Sequence, residues 1–130
     1  MIDNKNIVAS VLARLRNTAK SSGAPFQQIL QQYAMERFLH RVSRSPHAQT
    51  VILKGALLLK TIGLPRARPT MDIDMLRKGK ADQASLIALV HDCATIEVGP
   101  DGLTFVAEKK RYQEVKTGAC VWIPQARVRR

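Results

Sequence analysis

The sequence predicts an α+β fold with N-terminal helices followed by a small mixed sheet. Two amphipathic stretches come first, and each repeats its apolar residues at helical spacing. Short β-branched runs bounded by glycine and proline follow, and they alternate with further helical stretches. The expected order is α-α-β-α-β-α-β-β. With 130 residues, the chain is long enough for one core but not for two.

The two N-terminal helices are expected to form a scaffold. Asp3 or Asn4 can cap the first helix, and the Ser21-Ser22-Gly23 break ends it. Pro25 suits the first turn of the second helix, after which Pro46 turns the chain into a strand. The apolar stripe of the first helix consists of Ile7, Val8, Val11, Leu12 and Leu15.

The central segment, VILKGALLLKTIGLPRARPTMDIDM, contains the candidate functional site. A strand begins at Val51, Gly55 breaks it, and residues 56–62 continue as a short helix. A second strand follows and carries Asp72 and Asp74. Residues two apart in a strand share a face, so both carboxylates are expected to point the same way.

Two carboxylates on one face need a positive partner, and a hard divalent cation such as Mg²⁺ or Mn²⁺ meets that need. Gly55 has no Cβ, so its backbone can approach a triphosphate closely. The helix after it offers unpaired N–H groups and the positive end of its dipole. This order of elements is typical of a nucleotidyl transfer site.

The motifs LKGALLL and RPTMDIDM closely resemble those of AbiEii/AbiGii-type toxins, nucleotidyltransferases of the DNA polymerase β-like superfamily. The flanking segments QQYAMERFLHRVSRSPHAQTVILKGALLL and HDCATIEVGPDGLTFVAE are similar to that family as well, so the resemblance covers roughly residues 7–108. It implies a sheet of nucleotidyltransferase type and transfer of a nucleotide from an NTP. It also implies an acceptor, tRNA in some members, and a cognate antitoxin as partner.

The resemblance assigns catalysis and metal binding to Asp72 and Asp74. It assigns nucleotide binding to Lys54, Gly55, Ala56, Arg68 and Thr70. Ala56 departs from the Gly-Gly or Gly-Ser of the wider superfamily, which removes a hydroxyl group that could bind phosphate. Two alternatives without a functional role stay open. Lys54 could simply end a strand, and Arg68 and Thr70 could belong to a plain surface loop.

The net charge of +11 lies mostly in the first half of the chain. Residues 1–70 hold 11 Lys and Arg against Asp3 and Glu36, a net +9, whereas residues 71–130 hold 10 against 8, a net +2. Such an excess indicates a polyanionic partner, and RNA suits a nucleotidyltransferase. The alternative is a solvated helical surface that happens to be basic.

Targeting signals and thiol patterns point to a soluble cytoplasmic protein without a membrane partner. No apolar run approaches 18 residues, and the N-terminal residues lack the pattern of a signal peptide. Cys93 and Cys120 fall in no CxxC or Cys/His pattern and are expected to be free thiols.

The C-terminal part of the sequence is harder to interpret. A helix is expected over 81–93, short strands over 96–98 and 103–106, and no regular structure from about residue 109. This gives three parts: a helical region, 1–48; a nucleotidyltransferase core, 49–108; and an irregular or non-homologous tail, 109–130. The fold would then be incomplete at the C-terminus, as in a truncated member of the family.

A third carboxylate is the missing part of the expected site. The family carries it on a later strand beside the Asp pair, but this chain has no acidic residue after Glu114. The candidates are Glu97, Asp101, Glu108 and Glu114. Three functions therefore stay open: an active metal-dependent nucleotidyltransferase, a silent remnant that binds only nucleotide or antitoxin, and a basic RNA-binding module of other ancestry.

Overall fold

The computed structural model describes residues 4–55, 58, 62–63, 73–78, 83–105, 112–114, 119–122 and 126–128. These residues form three helices, namely α1 (Asn4–Ser22), α2 (Phe26–Arg44) and α3 (Gln83–Thr95). They also form six strands: β1 (Val51–Lys54), β2 (Ile73–Arg77), β3 (Leu103–Phe105), β4 (Tyr112–Glu114), β5 (Ala119–Trp122) and β6 (Ala126–Val128). The α+β fold class is confirmed. The expected helix over 56–62 falls largely outside the described residues.

The boundary between α1 and α2 follows the sequence signals. Gly23 has a φ of +71°, the left-handed conformation in which a helix commonly ends. Pro25 precedes α2, and its carbonyl accepts hydrogen bonds from the N–H groups of Gln28 and Ile29. The apolar stripe of α1 packs less deeply than a core helix, because all five of its residues are only half-buried.

The core lies between α2, α3 and one face of the larger sheet. Its most completely buried large side chains are Met35, Phe38, Ile73, Leu89 and Cys93. Burial raises the pKa of the Cys93 thiol, which is free, as expected. The core therefore joins the helices to β2, the strand that carries the candidate carboxylate Asp74.

The larger sheet has the strand order β1-β2-β5-β4, and every pairing in it is antiparallel. The prediction of a mixed sheet is therefore wrong, because the described strands of this sheet form no parallel pair. The strand expected over 103–106 does not join the single sheet predicted from the sequence, because β3 pairs with β6 in a separate two-stranded sheet. Leu103 and Phe105 of β3 are buried in the core, which holds β3 beside the helices. Residues 96–98 form no strand.

The tail is not irregular where the structure describes it, and this expectation is also corrected. Strands β4, β5 and β6 all lie after residue 109, and β5 is a central strand of the larger sheet. These strands are three or four residues long, too short for an alternating pattern to be recognised in the sequence. Strand β5 pairs with β2, β4 pairs with β5, and β6 pairs with β3, so tertiary pairing determines where these strands lie.

Candidate functional site

The candidate site lies where the end of β1 meets the start of β2. The antiparallel register places Lys54 opposite Asp74 and Leu53 opposite Met75. Gly55 follows Lys54 directly and has a φ of +76°, a backbone conformation that residues with a Cβ rarely adopt. The phosphate-binding turn proposed from the sequence and the strand with the carboxylate are therefore neighbours.

The two faces of this strand pair differ in exposure. Ile73 and Met75 are 0% and 2% exposed and belong to the core. The alternate positions are open, since Ile52 is 44% exposed, Leu76 is 36% exposed and Lys54 is also exposed. Residue 74 belongs to this alternate set of positions. The candidate site is therefore assigned to the sheet face opposite the helices.

The structure brings together only part of the predicted set of site residues. Lys54 lies opposite the backbone of Asp74, and Gly55 follows Lys54 directly. The remaining predicted residues lie outside the described part of the chain: Ala56, Arg68, Thr70 and Asp72. Their contribution to the site stays a prediction.

The position beside Asp74 on the next strand carries no carboxylate. Strand β5 neighbours β2, and its residue opposite Asp74 is Val121. Glu114 on β4 pairs with Cys120, which in turn pairs with Met75. The register therefore places Glu114 in the row of the buried Met75 and not in the row of Asp74.

Asp101 is committed to a buried ion cluster. Its Oδ2 accepts hydrogen bonds from Arg41 Nη1 at 2.8 Å and from Arg37 Nε at 2.9 Å. Its Oδ1 accepts from Arg41 Nη2 at 3.2 Å and from the backbone N–H of Leu103 at 3.1 Å. Four donors occupy this carboxylate, so Asp101 serves the packing of β3 on α2 and does not supply a third metal ligand.

Aromatic side chains complete the cluster around Asp101. The Arg41 guanidinium carbon lies 4.7 Å from the centroid of the Phe105 ring, and this ring meets Phe38 edge-on at 5.4 Å. The Tyr33 hydroxyl donates to the Asp101 carbonyl at 2.9 Å. Desolvation, and then the nearby Asp101 charge, raise the pKa of Tyr33, against the opposing effect of the arginines. The cluster therefore joins α2 to β3 through charge, hydrogen bonds and ring contacts.

From the sequence, Asp101 was considered only as a candidate third carboxylate, and its association with Arg37 and Arg41 was not predicted. Arg37 and Arg41 are four residues apart on α2, so they lie on one helix face. Asp101 lies in the Gly-Pro-Asp-Gly turn, which holds the carboxylate near that face. Two arginines at this spacing, together with a turn aspartate before a strand, are the signal that could have identified the ion cluster.

We predict that the Asp101 cluster makes folding stability depend on pH in the acid range. Desolvation acts to raise the pKa of Asp101, but the hydrogen bonds from Arg41, Arg37 and the Leu103 N–H outweigh it and lower the pKa. The folded-state pKa therefore lies below the unfolded value of about 3.9. This stabilisation is complete above the unfolded pKa and is lost as pH falls through the folded pKa. Urea unfolding between about pH 6 and pH 2 should show the loss, and Asp101→Asn should remove that part of it.

The other carboxylates in the described part of the chain give no metal cluster. Asp92 Oδ2 lies 2.8 Å from His47 Nε2 and joins α3 to the turn before β1. Glu97 is exposed and lines a cavity with the turn at residues 99–102. Glu108 lies outside the described residues. Among the residues described, no group of three or more His, Cys, Asp or Glu side chains could hold a metal ion.

These features define a class of protein: an α+β domain in which a strand, a glycine turn and an antiparallel acidic strand meet on an open sheet face. A family model described as "Nucleotidyl transferase AbiEii toxin, Type IV TA system" matches residues 37–129. The chain belongs to this family, as its motifs predicted. It is therefore a toxin nucleotidyltransferase domain of a toxin–antitoxin system, a class that acts on NTPs and has a cognate antitoxin.

The matched range has a consequence for the C-terminal residues. It runs through β4, β5 and β6, so the family resemblance does not end near residue 109. The division into 1–48, 49–108 and 109–130 stays a proposal. No curated protein and no solved structure matches the chain. No helix in the described ranges is long and apolar enough to cross a membrane.

Proposed function

We propose that the chain binds an NTP through a divalent cation at Asp72 and Asp74 and transfers a nucleotide to an RNA acceptor, with tRNA as the candidate. The observation that carries the proposal is the register of Lys54 opposite Asp74, directly before the positive-φ Gly55. The proposal is supported because Lys54, the Gly55 turn and position 74 lie at the same end of the β1–β2 pair.

The donor set suits Mg²⁺ or Mn²⁺, since carboxylate oxygens are the ligands that these hard cations prefer. Position 74 alternates with the buried Ile73 and Met75 and pairs with the exposed Lys54, which supports a site on the exposed face of the strand pair. Asp72 and Asp74 would hold the ion. Bound there, the ion would neutralise charge on the triphosphate and polarise its oxygens.

The protein groups around the ion would bind and orient the nucleotide. Without a Cβ, the Gly55 turn lets phosphate oxygens approach the backbone. Lys54 would contribute a positive charge beside them, and Arg68 and Thr70 would contact phosphate from the loop before the acidic pair. Ala56 keeps the turn small.

A specific observation favours a second candidate function, nucleotide binding without transfer. Val121 occupies the position opposite Asp74 on β5, and Glu114 lies in the row of Met75. In-line transfer commonly uses two metal ions about 3.5–4 Å apart. Asp72 and Asp74 alone would give these two ions few protein ligands. We therefore expect this chain to bind an NTP but to transfer its nucleotide weakly or not at all.

One experiment separates the candidate functions. The full chain is incubated with each of the four α-labelled NTPs, Mg²⁺ and total RNA, and bound nucleotide, bound RNA and labelled RNA are measured. Mg²⁺-dependent binding with weak or absent labelling is the expected result. Robust labelling would show an active transferase with a third ligand from elsewhere in the chain. A chain that binds RNA but no NTP would contradict the proposal and leave a basic RNA-binding module.

A further inference from the structure

A groove of about 650 Å³ lies on the helical side of the molecule, away from the open sheet face. Helices α1 and α2 form its walls, and the turn at residues 99–101 closes one end. Its apolar part includes Ile7, Val11 and Pro100, whereas Arg14, Arg37 and His40 also line it. The groove therefore combines an apolar surface with cationic side chains, and the proposed nucleotide site does not include it.

The charge of the groove is positive even though Asp101 is one of its lining residues. Asp101 already accepts hydrogen bonds from Arg41 and Arg37, so its negative charge is matched within the protein. Arg14 is exposed and donates from Nη2 to Ser10 Oγ at 3.2 Å. Asp101 is the only carboxylate among the described residues that line the groove, and it is paired with arginines.

Arg37 is paired with Asp101 through one edge of its guanidinium and is partly exposed. Asp101 binds its Nε, and the side chain stays 27% exposed. Among the described contacts, no partner engages the two terminal nitrogens of Arg37. A guanidinium fixed along one edge loses little further freedom when its other edge binds a phosphate. Arg14 and Arg37 thus provide two guanidinium groups at one groove.

The basic surface extends beyond the groove along both helices. Apart from the buried Arg41, helices α1 and α2 together contain six Lys and Arg residues and one acidic residue, Glu36. Helix α1 contains no acidic residue at all. A basic surface that runs along two helices suits an extended polyanion. A short acidic peptide would contact only part of this surface.

We propose that the groove between α1 and α2 binds a single-stranded segment of the acceptor RNA, with phosphates at Arg14 and Arg37 and bases against the apolar residues. This inference rests on the proposed function insofar as it takes the acceptor to be RNA. It adds a docking surface on the helical side of the chain, separate from the sheet face where the nucleotide is proposed to bind.

The test measures binding of a fluorescein-labelled oligouridylate to the full chain by anisotropy at several salt concentrations. Each phosphate contact to a single strand contributes about −0.7 to the slope of log K against log salt. Arg14→Gln should reduce the magnitude of the slope by about this amount, and Arg14→Lys should largely restore it. Arg14 makes one described side-chain hydrogen bond, to Ser10, so its replacement leaves the core intact.

Lys20→Gln is the matched control for Arg14→Gln. Lys20 is exposed on the same helix, is six residues from Arg14 and does not line the groove. Six residues at 3.6 per turn place the two side chains about 120° apart around α1. Lys20→Gln should change the slope by less than half as much as Arg14→Gln. Equal changes, or no change in either variant, would overturn the groove as the site.

Two further measurements separate the remaining explanations. If a polyglutamate peptide binds more tightly than the RNA and with the same dependence on Arg14, the occupant is an acidic protein and the RNA proposal is wrong. Mg²⁺–NTP binding is measured on the same variants and should not change. If the native chain binds no NTP but binds RNA through Arg14, the proposed function fails while the groove stands.

Discussion

Asp101→Ala is expected to lower the free energy of unfolding by about 3–5 kcal/mol, because it leaves the Arg41 guanidinium buried without its counter-charge. Both side chains are 6% exposed, so water cannot replace the lost partner. Arg41 Nε already has no hydrogen-bond partner among the described residues. Asp101→Ala would also remove the carboxylate acceptor of Nη1 and Nη2. The substitution also removes the acceptor of the Leu103 N–H at the start of β3.

Urea unfolding of the native chain and the variant would measure this loss directly. Glu97→Ala is the control, since Glu97 is an exposed acidic residue in the same connection between α3 and β3. It should change the free energy of unfolding by no more than about 0.5 kcal/mol. A loss below about 1 kcal/mol for Asp101→Ala would show that the cluster contributes little, and Asp101 would again be a candidate metal ligand.

Val121→Asp is expected to raise nucleotide transfer at least about a hundredfold over a weak native level. A hundredfold change in rate corresponds to about 2.7 kcal/mol of barrier. The register places residue 121 directly opposite Asp74 on β5, the described strand next to β2 on the side away from β1. Neighbouring strands lie about 4.8 Å apart, so a carboxylate there could share a metal ion with Asp74.

Gln113→Asp is the matched control for Val121→Asp. Gln113 on β4 pairs with Val121, so it lies in the same row but one strand further from Asp74, at about 10 Å. Both variants add one carboxylate to the same sheet, and only Val121→Asp adds it beside the proposed ion. If both raise transfer equally, or neither does, the row of Asp74 is not the site of the missing ligand.

The parts of the fold that follow from local sequence were predicted well. Periodic apolar residues and the Gly23 break identified α1 and α2, and the β-branched run from Val51 identified β1. Gly55 was also recognised from its context, and its φ of +76° fits the turn expected there. In each case the signal lies within a few residues of the element that it describes.

The parts that depend on distant partners were not predicted. Strands β4 and β5 carry no recognisable pattern, and only pairing with β2 shows that Val121 lies opposite Asp74. Asp101 was considered as a metal ligand because its 60-residue separation from Arg41 hides their contact. Antiparallel pairing and ion clusters of this kind join residues that no local window contains.

Binding of Mg²⁺–NTP by the native chain and by the Asp72→Asn, Asp74→Asn double variant tests the central claim most directly. Equilibrium dialysis with a labelled NTP, with Mg²⁺ or with EDTA, measures it. Asp92→Asn is the control, because Asp92 is an exposed carboxylate paired with His47 on another element. We predict binding by the native chain and by Asp92→Asn that EDTA removes, and no such binding by the double variant. Equal binding by the double variant, or binding that EDTA does not affect, would contradict the assignment of the site to Asp72 and Asp74.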